Sequence, residues 1–159
     1  MELSKMRTGV GVDAHQFGDS GPCSLAGLQW PDAPRLVGHS DGDAAVHALC
    51  DAVLSACQLG DVGTLFGVGK SEMAGASGIE MIEKLQTHIT KHGFKVINVS
   101  IQIVGNQPKI ATRREEAQNV LSQALGAPVS VSATTSDQMG FTGRGEGLYV
   151  VANALIEIQ

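Results

Sequence analysis

The chain has 159 residues, of which 43% are hydrophobic and 17% charged, so it is long enough to bury a sizeable core as one domain over residues 1–159. Its net charge of −5 without a basic stripe argues against a nucleic-acid partner, and it has no apolar run long enough for a membrane span and no apolar N-terminal signal region. We therefore expect a cytoplasmic protein. Three cysteines without a CxxC pair indicate neither a disulfide framework nor a Cys-based zinc site.

Hydrophobic periodicity and turn residues predict a mixed order of strands and helices. In chain order we expect strands at 7–15 and 24–29, a helix at 43–59 capped by Asp41 or Asp43 and stopped at Gly60, a helix at 77–92, a strand at 95–104, a helix at 108–125 opened by Pro108, and strands at 129–134 and 148–157. The Gly- and Ser-rich segment 66–77 predicts a mobile loop, a candidate lid, and a glycine-rich loop is expected at 139–147.

This order, without repeats or a linker, predicts an α/β single-domain sandwich with helices on one face of a mixed sheet. The other face carries polar side chains, because Asn98, Ser100 and Gln102 alternate with apolar residues along strand 95–104. We expect that face to meet solvent or a neighbouring subunit.

Asp13 and His15 end the first strand, where residues two apart point to the same side and can hold one ion together. His47 on the following helix is a third candidate ligand, and three protein ligands leave one tetrahedral position open for catalysis. Asp43 and Asp51, four residues before and after His47, are candidates to orient its ring. Imidazole favours zinc over magnesium. The structural alternative is a strand end and a hydrogen-bonded helix histidine.

Two glycine- or serine-containing segments are further candidates for binding a substrate, and each also has an equally simple structural explanation. His39 and Ser40 precede a helix start, where they could hold a phosphate or merely cap the helix. Asp61 lies between Gly60 and Gly63, where it could bind sugar hydroxyls or end a helix turn.

Phosphate binding is the functional reading of two more segments. Lys109 follows a strand and could neutralise a phosphate, or be an ordinary exposed lysine. Residues 133–137 place three hydroxyls beside a carboxylate, as in an oxygen-only magnesium or manganese site with phosphate, or as in a capped turn. The segment 140–147 has four glycines but matches neither a Walker loop nor a dinucleotide fingerprint. The pair His88 and His92 is interpreted as structural.

Five segments together resemble the 2-C-methyl-D-erythritol 2,4-cyclodiphosphate synthase family: GVDAH, GHSDGDAAVHALCDAVL, LGDVG, PK at 108–109 and ATTSDQMGFTGRGEG. The resemblance runs from about residue 7 to the C-terminus. It implies a homotrimer whose sheets face the threefold axis and whose active sites lie between subunits. The implied substrate is 4-diphosphocytidyl-2-C-methyl-D-erythritol 2-phosphate of the non-mevalonate isoprenoid pathway. Its 2-phosphate attacks the β-phosphorus, which closes the cyclic diphosphate and releases CMP, a phosphorus–oxygen lyase reaction.

The resemblance also implies a role for individual residues. Zinc would be held by Asp13, His15 and His47, and magnesium or manganese would lie at the substrate diphosphate beside Asp137. The implied catalytic residues are His39, Thr135 and Asp137. The implied contacts with the substrate phosphates are Asp13, His15, His39 and Ser40, and those with the methylerythritol hydroxyls are Asp61 and Gly63. The cytidine would be bound by Gly105, Lys109 and Ala111, and the α-phosphate by Thr134, Thr135, Ser136 and Asp137 of a neighbouring chain. Around a central cavity that can take an isoprenoid diphosphate, the resemblance places Phe141 and Arg144, with Glu146.

The chain departs from the family pattern at three positions. Asp137 stands where Glu is common, Gln138 where Lys is common, and Gly67 where the family has Pro. Because Asp is one methylene shorter than Glu, we expect the metal contact at residue 137 to run through water or to need a shift of the loop. Two other functions remain open, a zinc-dependent phosphohydrolase acting on a nucleotide and a non-catalytic trimer that senses isoprenoid diphosphates.

Overall fold

The structure is a computed structural model that describes residues 2–67 and 75–159. Its strands are β1 (Met6–Gln16), β2 (Cys23–Leu25), β3 (Leu28–Trp30), β4 (Phe94–Val104), β5 (Val129–Thr134) and β6 (Gly147–Ile158). Its α-helices are α1 (Ala44–Cys57), α2 (Val62–Phe66), α3 (Gly78–Lys91), α4 (Arg114–Leu125) and α5 (Gly140–Gly143). Short 3-10 turns cover Leu3–Lys5 and Ile110–Thr112.

Four strands form one mixed sheet in the order β1-β6-β4-β5. β6 runs antiparallel to β1 and to β4, whereas β4 and β5 are parallel. Helices α1, α3 and α4 cover one face, where the alternate residues of each strand are buried. The other face of β1 leaves Val10 and Val12 55% and 46% exposed. The predicted mixed α/β architecture with helices on one face of the sheet is confirmed.

Helix α1 lies unusually close to β1. A Cβ atom on Gly9 would overlap the carbonyl oxygen of Ala52, and one on Gly11 would overlap the carbonyl oxygen of Ala48. Only glycine on the strand allows this approach, because any larger side chain would push the helix away. The close packing therefore places the residues that follow Gly11 on the strand beside the first turn of the helix.

The prediction of one strand at 24–29 is wrong in detail, because this region forms a hairpin of two three-residue strands, β2 and β3. Ala26 and Gly27 connect them with φ angles of 54° and 75°. Two consecutive residues with positive φ form the tight turn that suits the twist of a β-hairpin. The sequence signal was weak, since alanine rarely adopts positive φ.

Two predicted helix boundaries also need correction. The predicted helix at 108–125 begins at Arg114, because Lys109 has a non-helical ψ of 83° and only a 3-10 turn follows it. Helix α1 ends at Cys57, where Gln58 caps it in a left-handed conformation, and does not continue to Gly60. Of the two proposed caps of α1, Asp43 is the one that accepts a hydrogen bond from the Val46 N–H.

Strand β4 agrees with the predicted alternation except at its start. The register with β6 shifts between Val96 and Asn98, so Ile97 is a bulge residue without a partner. The bulge explains why Val96 and Val99, three residues apart, are both buried. Two adjacent apolar residues at 96 and 97 were the sequence signal for it.

The expected lid segment 66–77 falls largely outside the described residues, since residues 68–74 are not described. Its described ends are ordered elements: Phe66 closes α2, and Ser77 caps α3 in a capping box with Glu80. The glycine-rich loop expected at 139–147 contains helix α5. The three cysteines are free and buried. Among the described residues, none of the helices has the length and apolar character needed to cross a bilayer.

Candidate metal centre

The structure brings together the three side chains that the sequence predicts as metal ligands. Asp13 and His15 point inward from β1, and His47 faces them from the first turns of α1. The Asp13 Oδ2 atom lies 2.7 Å from His15 Nε2 and 3.0 Å from His47 Nδ1, and the two nitrogens are 3.3 Å apart. Ligand atoms around a tetrahedral ion with bonds of about 2.0 Å are about 3.3 Å apart. The trio therefore has nearly the spacing that a small divalent ion requires.

Each imidazole has a partner for the nitrogen that faces away from Asp13. His15 Nδ1 donates to the carbonyl oxygen of Val37 at 2.5 Å, and His47 Nε2 lies 2.8 Å from the Ser40 hydroxyl oxygen. Outer partners of this kind fix the ring orientation and, when a metal is bound, accept the proton of the outer nitrogen so that the inner nitrogen can ligate. Both histidines are thus prepared to ligate through the nitrogen that points at Asp13.

The prediction that Asp43 or Asp51 orients His47 is wrong. The Asp43 carboxylate is buried and accepts hydrogen bonds from the backbone N–H groups of Ala26, Gly27 and Val46. The Asp51 carboxylate instead accepts from the backbone N–H of Val62 at 2.8 Å. Both carboxylates are therefore engaged by the backbone, and burial raises the pKa of each.

Electrostatics within the trio favour a charged carboxylate. Burial alone would raise the pKa of Asp13, but hydrogen bonds from His15 and His47 outweigh it and lower the pKa to about 2. Burial alone would lower the pKa of His15, but its hydrogen bonds to Asp13 and to the Val37 carbonyl raise it above its ordinary value. A divalent ion in this position would replace the proton that these groups share.

The donor set fits a divalent transition metal, because it combines one carboxylate oxygen with two imidazole nitrogens. Within residues 2–67 and 75–159, this is the one group of three or more His, Cys, Asp or Glu side chains close enough to share an ion. The second histidine pair, His88 and His92, has ring centroids 4.5 Å apart, and His92 Nδ1 donates to the His88 carbonyl. Its structural interpretation is consistent with these contacts.

Two other predicted site segments lie around α1 and α2. His39 is exposed beside the half-buried Ser40 in the loop before α1. Asp61 caps α2, since its Oδ1 accepts from the backbone N–H and the hydroxyl of Thr64 at 2.7 and 2.8 Å. These hydrogen bonds lower the pKa of Asp61. Gly63 lies in the first turn of α2, and its backbone N–H also contributes to lowering the pKa of Asp61.

A cavity of about 590 Å³ lies beside Lys109. Part of its lining is the predicted segment 106–109, but the segment 30–33, which also lines it, was not anticipated from the sequence. Arg113 also lines it and places its guanidinium carbon 4.9 Å from the centre of the Trp30 ring, while it pairs with Glu116 at 2.7 Å. The signal in the sequence was the single tryptophan, followed by a proline, in an otherwise aromatic-poor chain.

The ends of the parallel strands β4 and β5 bring two further predicted segments together. The Gly105 N–H donates to the Thr134 carbonyl at 3.0 Å, so the 105–111 segment starts beside the 134–137 segment. In the described part of this single chain, no hydrogen bond joins these segments to the Asp13, His15 and His47 trio.

The YgbB family model matches residues 6–157. The chain belongs to the YgbB family. It is 50% identical over 155 residues to the 2-C-methyl-D-erythritol 2,4-cyclodiphosphate synthase of Cutibacterium acnes, covering 97% of this chain and 92% of that protein.

Two solved structures have the same fold. The bifunctional IspDF of Campylobacter jejuni is 32% identical with a TM-score of 0.91, covering 97% of this chain and 42% of that longer one. A 2C-methyl-D-erythritol-2,4-cyclodiphosphate synthase in a CDP-bound form is 29% identical with a TM-score of 0.85, covering 95% of this chain and all of that one.

The segment where this YgbB-family chain departs from the expected pattern has an unusual backbone. Asp137 and Gln138 both adopt left-handed conformations, with φ angles of 50° and 67°. Thr135 Oγ1 donates to Asp137 Oδ1 at 3.4 Å, and Ser136 Oγ donates to the Met139 carbonyl at 2.7 Å. The hydroxyls predicted to meet a phosphate therefore hold the turn that presents Asp137.

Two of the residues expected around a central cavity in this YgbB-family chain lie beside the end of β1, which also carries His15. Arg144 pairs with Glu146 at 3.2 Å, and both side chains are exposed. Phe141 and Glu146 share a pocket of about 390 Å³ with His15. The sequence spacing did not predict that His15 and these two residues line one pocket.

Proposed function

We propose that the chain converts 4-diphosphocytidyl-2-C-methyl-D-erythritol 2-phosphate to 2-C-methyl-D-erythritol 2,4-cyclodiphosphate and CMP, as a phosphorus–oxygen lyase of isoprenoid precursor synthesis. The observation that carries the proposal is the intact Asp13, His15 and His47 trio in a chain half identical to a protein of that name. The CDP-bound relative supports a cytidine nucleotide as the ligand class.

In the proposed reaction an oxygen of the 2-phosphate forms a bond to the β-phosphorus, and the bond from that phosphorus to the oxygen it shares with the α-phosphorus breaks. The shared oxygen and its electron pair leave with CMP. The nucleophile belongs to the substrate, so no side chain needs to form a covalent bond. The work left for the protein is to hold the two reacting phosphates in line and to reduce their mutual repulsion.

A zinc ion held by Asp13, His15 and His47 would neutralise phosphate charge when bound. His39 and Ser40 lie in the loop next to this trio and are assigned to the phosphates. Asp61, which is exposed at the start of α2, and Gly63 are assigned to the methylerythritol hydroxyls.

The nucleotide end of the substrate is assigned to the other group of segments. Gly105, Lys109 and Ala111 belong to the cytidine site, and the cavity beside Lys109 supports that assignment. Thr134, Thr135, Ser136 and Asp137 would contact the α-phosphate. A magnesium or manganese ion on the diphosphate would lie beside Asp137. The residues assigned to the reacting phosphates are His39, Thr135 and Asp137.

A homotrimer with sites between subunits is part of the proposal. Two features support it: the exposed Val10 and Val12 on the uncovered sheet face, and the lack of hydrogen bonds between the metal trio and the 134–137 segment in the described part of one chain. Phe141, Arg144 and Glu146 would then surround a central cavity that can take an isoprenoid diphosphate.

The test is to incubate the protein with the cytidyl substrate, zinc and magnesium, and to follow the products by phosphorus NMR. The proposal expects CMP together with a cyclic diphosphate. Linear phosphate products would indicate a phosphohydrolase instead. Binding of an isoprenoid diphosphate without any turnover would indicate a sensor.

A further inference from the structure

The shortest hydrogen bond of the Ser40 side chain is to a predicted metal ligand. The Ser40 hydroxyl oxygen lies 2.8 Å from His47 Nε2, on the side of the ring opposite to Asp13. We infer that Ser40 is a positioning residue, which holds His47 in the tautomer and ring orientation that direct Nδ1 at the metal. The inference rests on the proposed function, because it takes the trio to be a metal site.

The direction of this hydrogen bond follows from the chemistry of imidazole. A neutral ring carries one proton, and the nitrogen that ligates a metal must be the unprotonated one. His47 Nδ1 faces Asp13 Oδ2 and His15 Nε2, so Nε2 must keep the proton in the metal-loaded protein. Ser40 Oγ is the acceptor for that proton. Without the acceptor, the Nε2 proton would lose its only protein partner among the described residues, and the ring would be free to turn.

Hydrogen bonds at both ends of its segment fix the position of Ser40. On one side, the Val37 N–H donates to the Gln16 carbonyl at 2.9 Å, and the Val37 carbonyl receives the proton of His15 Nδ1. On the other side, the Asp41 carboxylate accepts from the backbone N–H of Asp43 at 3.0 Å and of Gly78 at 2.9 Å. The segment 37–43 is therefore anchored at both ends, and it supplies the outer partner of both histidines.

The buried Asp43 strengthens this anchor. It is 1% exposed and ties the β2–β3 turn to the start of α1 through three backbone N–H groups. The acidic residues on either side of Gly42 thus act on the metal site indirectly. Asp41 and Asp43 hold the segment 37–43 in place, and this segment positions Ser40.

A contact between Ser40 and a substrate phosphate is compatible with this role. The hydroxyl accepts the Nε2 proton of His47 with an oxygen lone pair, and its own proton stays available for a phosphate oxygen. The two roles separate in an experiment without substrate, because only the positioning role changes the affinity for metal.

The experiment measures zinc affinity of the full chain by competition with a chromogenic chelator. Ser40→Ala is expected to weaken zinc binding about 10- to 100-fold, as losses of such outer partners do. Ser40→Thr keeps the hydroxyl and should bind zinc nearly as the wild type does. Ser20→Ala removes an exposed serine hydroxyl that has no hydrogen-bond partner within the described part of the chain, and serves as the matched control. An unchanged zinc affinity in Ser40→Ala would overturn the inference.

Kinetics add a second readout. With excess zinc, Ser40→Ala should recover the part of its kcat/KM that was lost through the metal, and any loss that remains measures the contact of Ser40 with the substrate phosphate. A raised KM at full zinc occupancy, with normal zinc affinity, would assign Ser40 to the substrate alone and contradict the inference.

Imidazole nitrogen NMR of the zinc-loaded wild type tests the inference without a substitution, so a folding defect in a variant cannot affect the result. The expected spectrum has His47 ligating through Nδ1 with a proton on Nε2, and ligation through Nε2 would refute the inference. Failure of the proposed function is distinguishable, because a protein that binds zinc in a Ser40-dependent way but releases no CMP would keep the positioning role and lose the reaction.

Discussion

Gly11 of β1 lies directly under the backbone of Ala48 on α1, so close that a methyl group on Gly11 would overlap the Ala48 carbonyl oxygen. Asp13 follows Gly11 on the same face of the strand, and His47 precedes Ala48 on the helix. The absence of one side chain thus sets the distance between a carboxylate and an imidazole that hold the candidate metal.

Gly11→Ala is expected to push α1 away from β1. Overpacking of this kind costs about 1–3 kcal/mol of the free energy of unfolding, and the displaced helix should also weaken zinc binding. Urea denaturation with and without zinc measures both effects. Thr8→Ala, at an exposed position of the same strand, is the control. A variant with lower stability and unchanged zinc affinity would show that the close packing does not set the metal geometry.

His47→Ala should remove zinc and abolish cyclisation, because two protein ligands hold the ion poorly and the phosphate charge is no longer neutralised. Metal analysis of the purified protein and a CMP-release assay check the two parts. His88→Ala removes a histidine from the far end of α3 and should leave both unchanged. Full activity in His47→Ala would contradict the assignment of the site.

Asp137→Asn should reduce the response of activity to magnesium more than it reduces zinc content. Asparagine tolerates the left-handed φ of 50° at this position, so the turn should keep its shape while the charge is lost. Magnesium titrations of activity, together with zinc analysis, measure the difference. An equal loss of both metals would argue against two separate metal sites.

Without metal, the stability of the protein should depend on the charge of His15. Burial would lower the pKa of His15, but the hydrogen bonds to Asp13 and Val37 raise it above its ordinary value in the folded state. A raised folded-state pKa gives stability that is fully present below the unfolded pKa of about 6.5 and is lost as the pH rises through the folded value.

The Tm of the metal-free protein is therefore expected to fall from pH 6 to pH 8, about the range in which histidine titrates. The decrease should be smaller in His15→Gln. Zinc competes with protons for the same ring, so stabilisation by added zinc should grow over the same range. A wild type and a His15→Gln variant with identical pH profiles would contradict the expected role of His15.

The candidate ligands could be predicted from the sequence because their signal is local. Alternation along a strand puts Asp13 and His15 on one face whatever the rest of the chain does, and apolar periodicity identifies the helix that carries His47. The same local rules predicted the mixed order of elements and most of their boundaries. They failed at Ala26 and Gly27, where a hairpin turn uses an alanine with positive φ.

What surrounds the ligands was decided by tertiary structure. Helical spacing suggested Asp43 and Asp51 as partners of His47, but backbone amides of distant segments engage both carboxylates, and the ring turns its outer nitrogen toward Ser40. A buried carboxylate pairs with whichever unsatisfied N–H groups the packing brings near it, and sequence spacing does not contain that information. The sequence by itself determined which residues can bind a metal, whereas the contact between α1 and β1 and the anchored segment 37–43 decided how they are held.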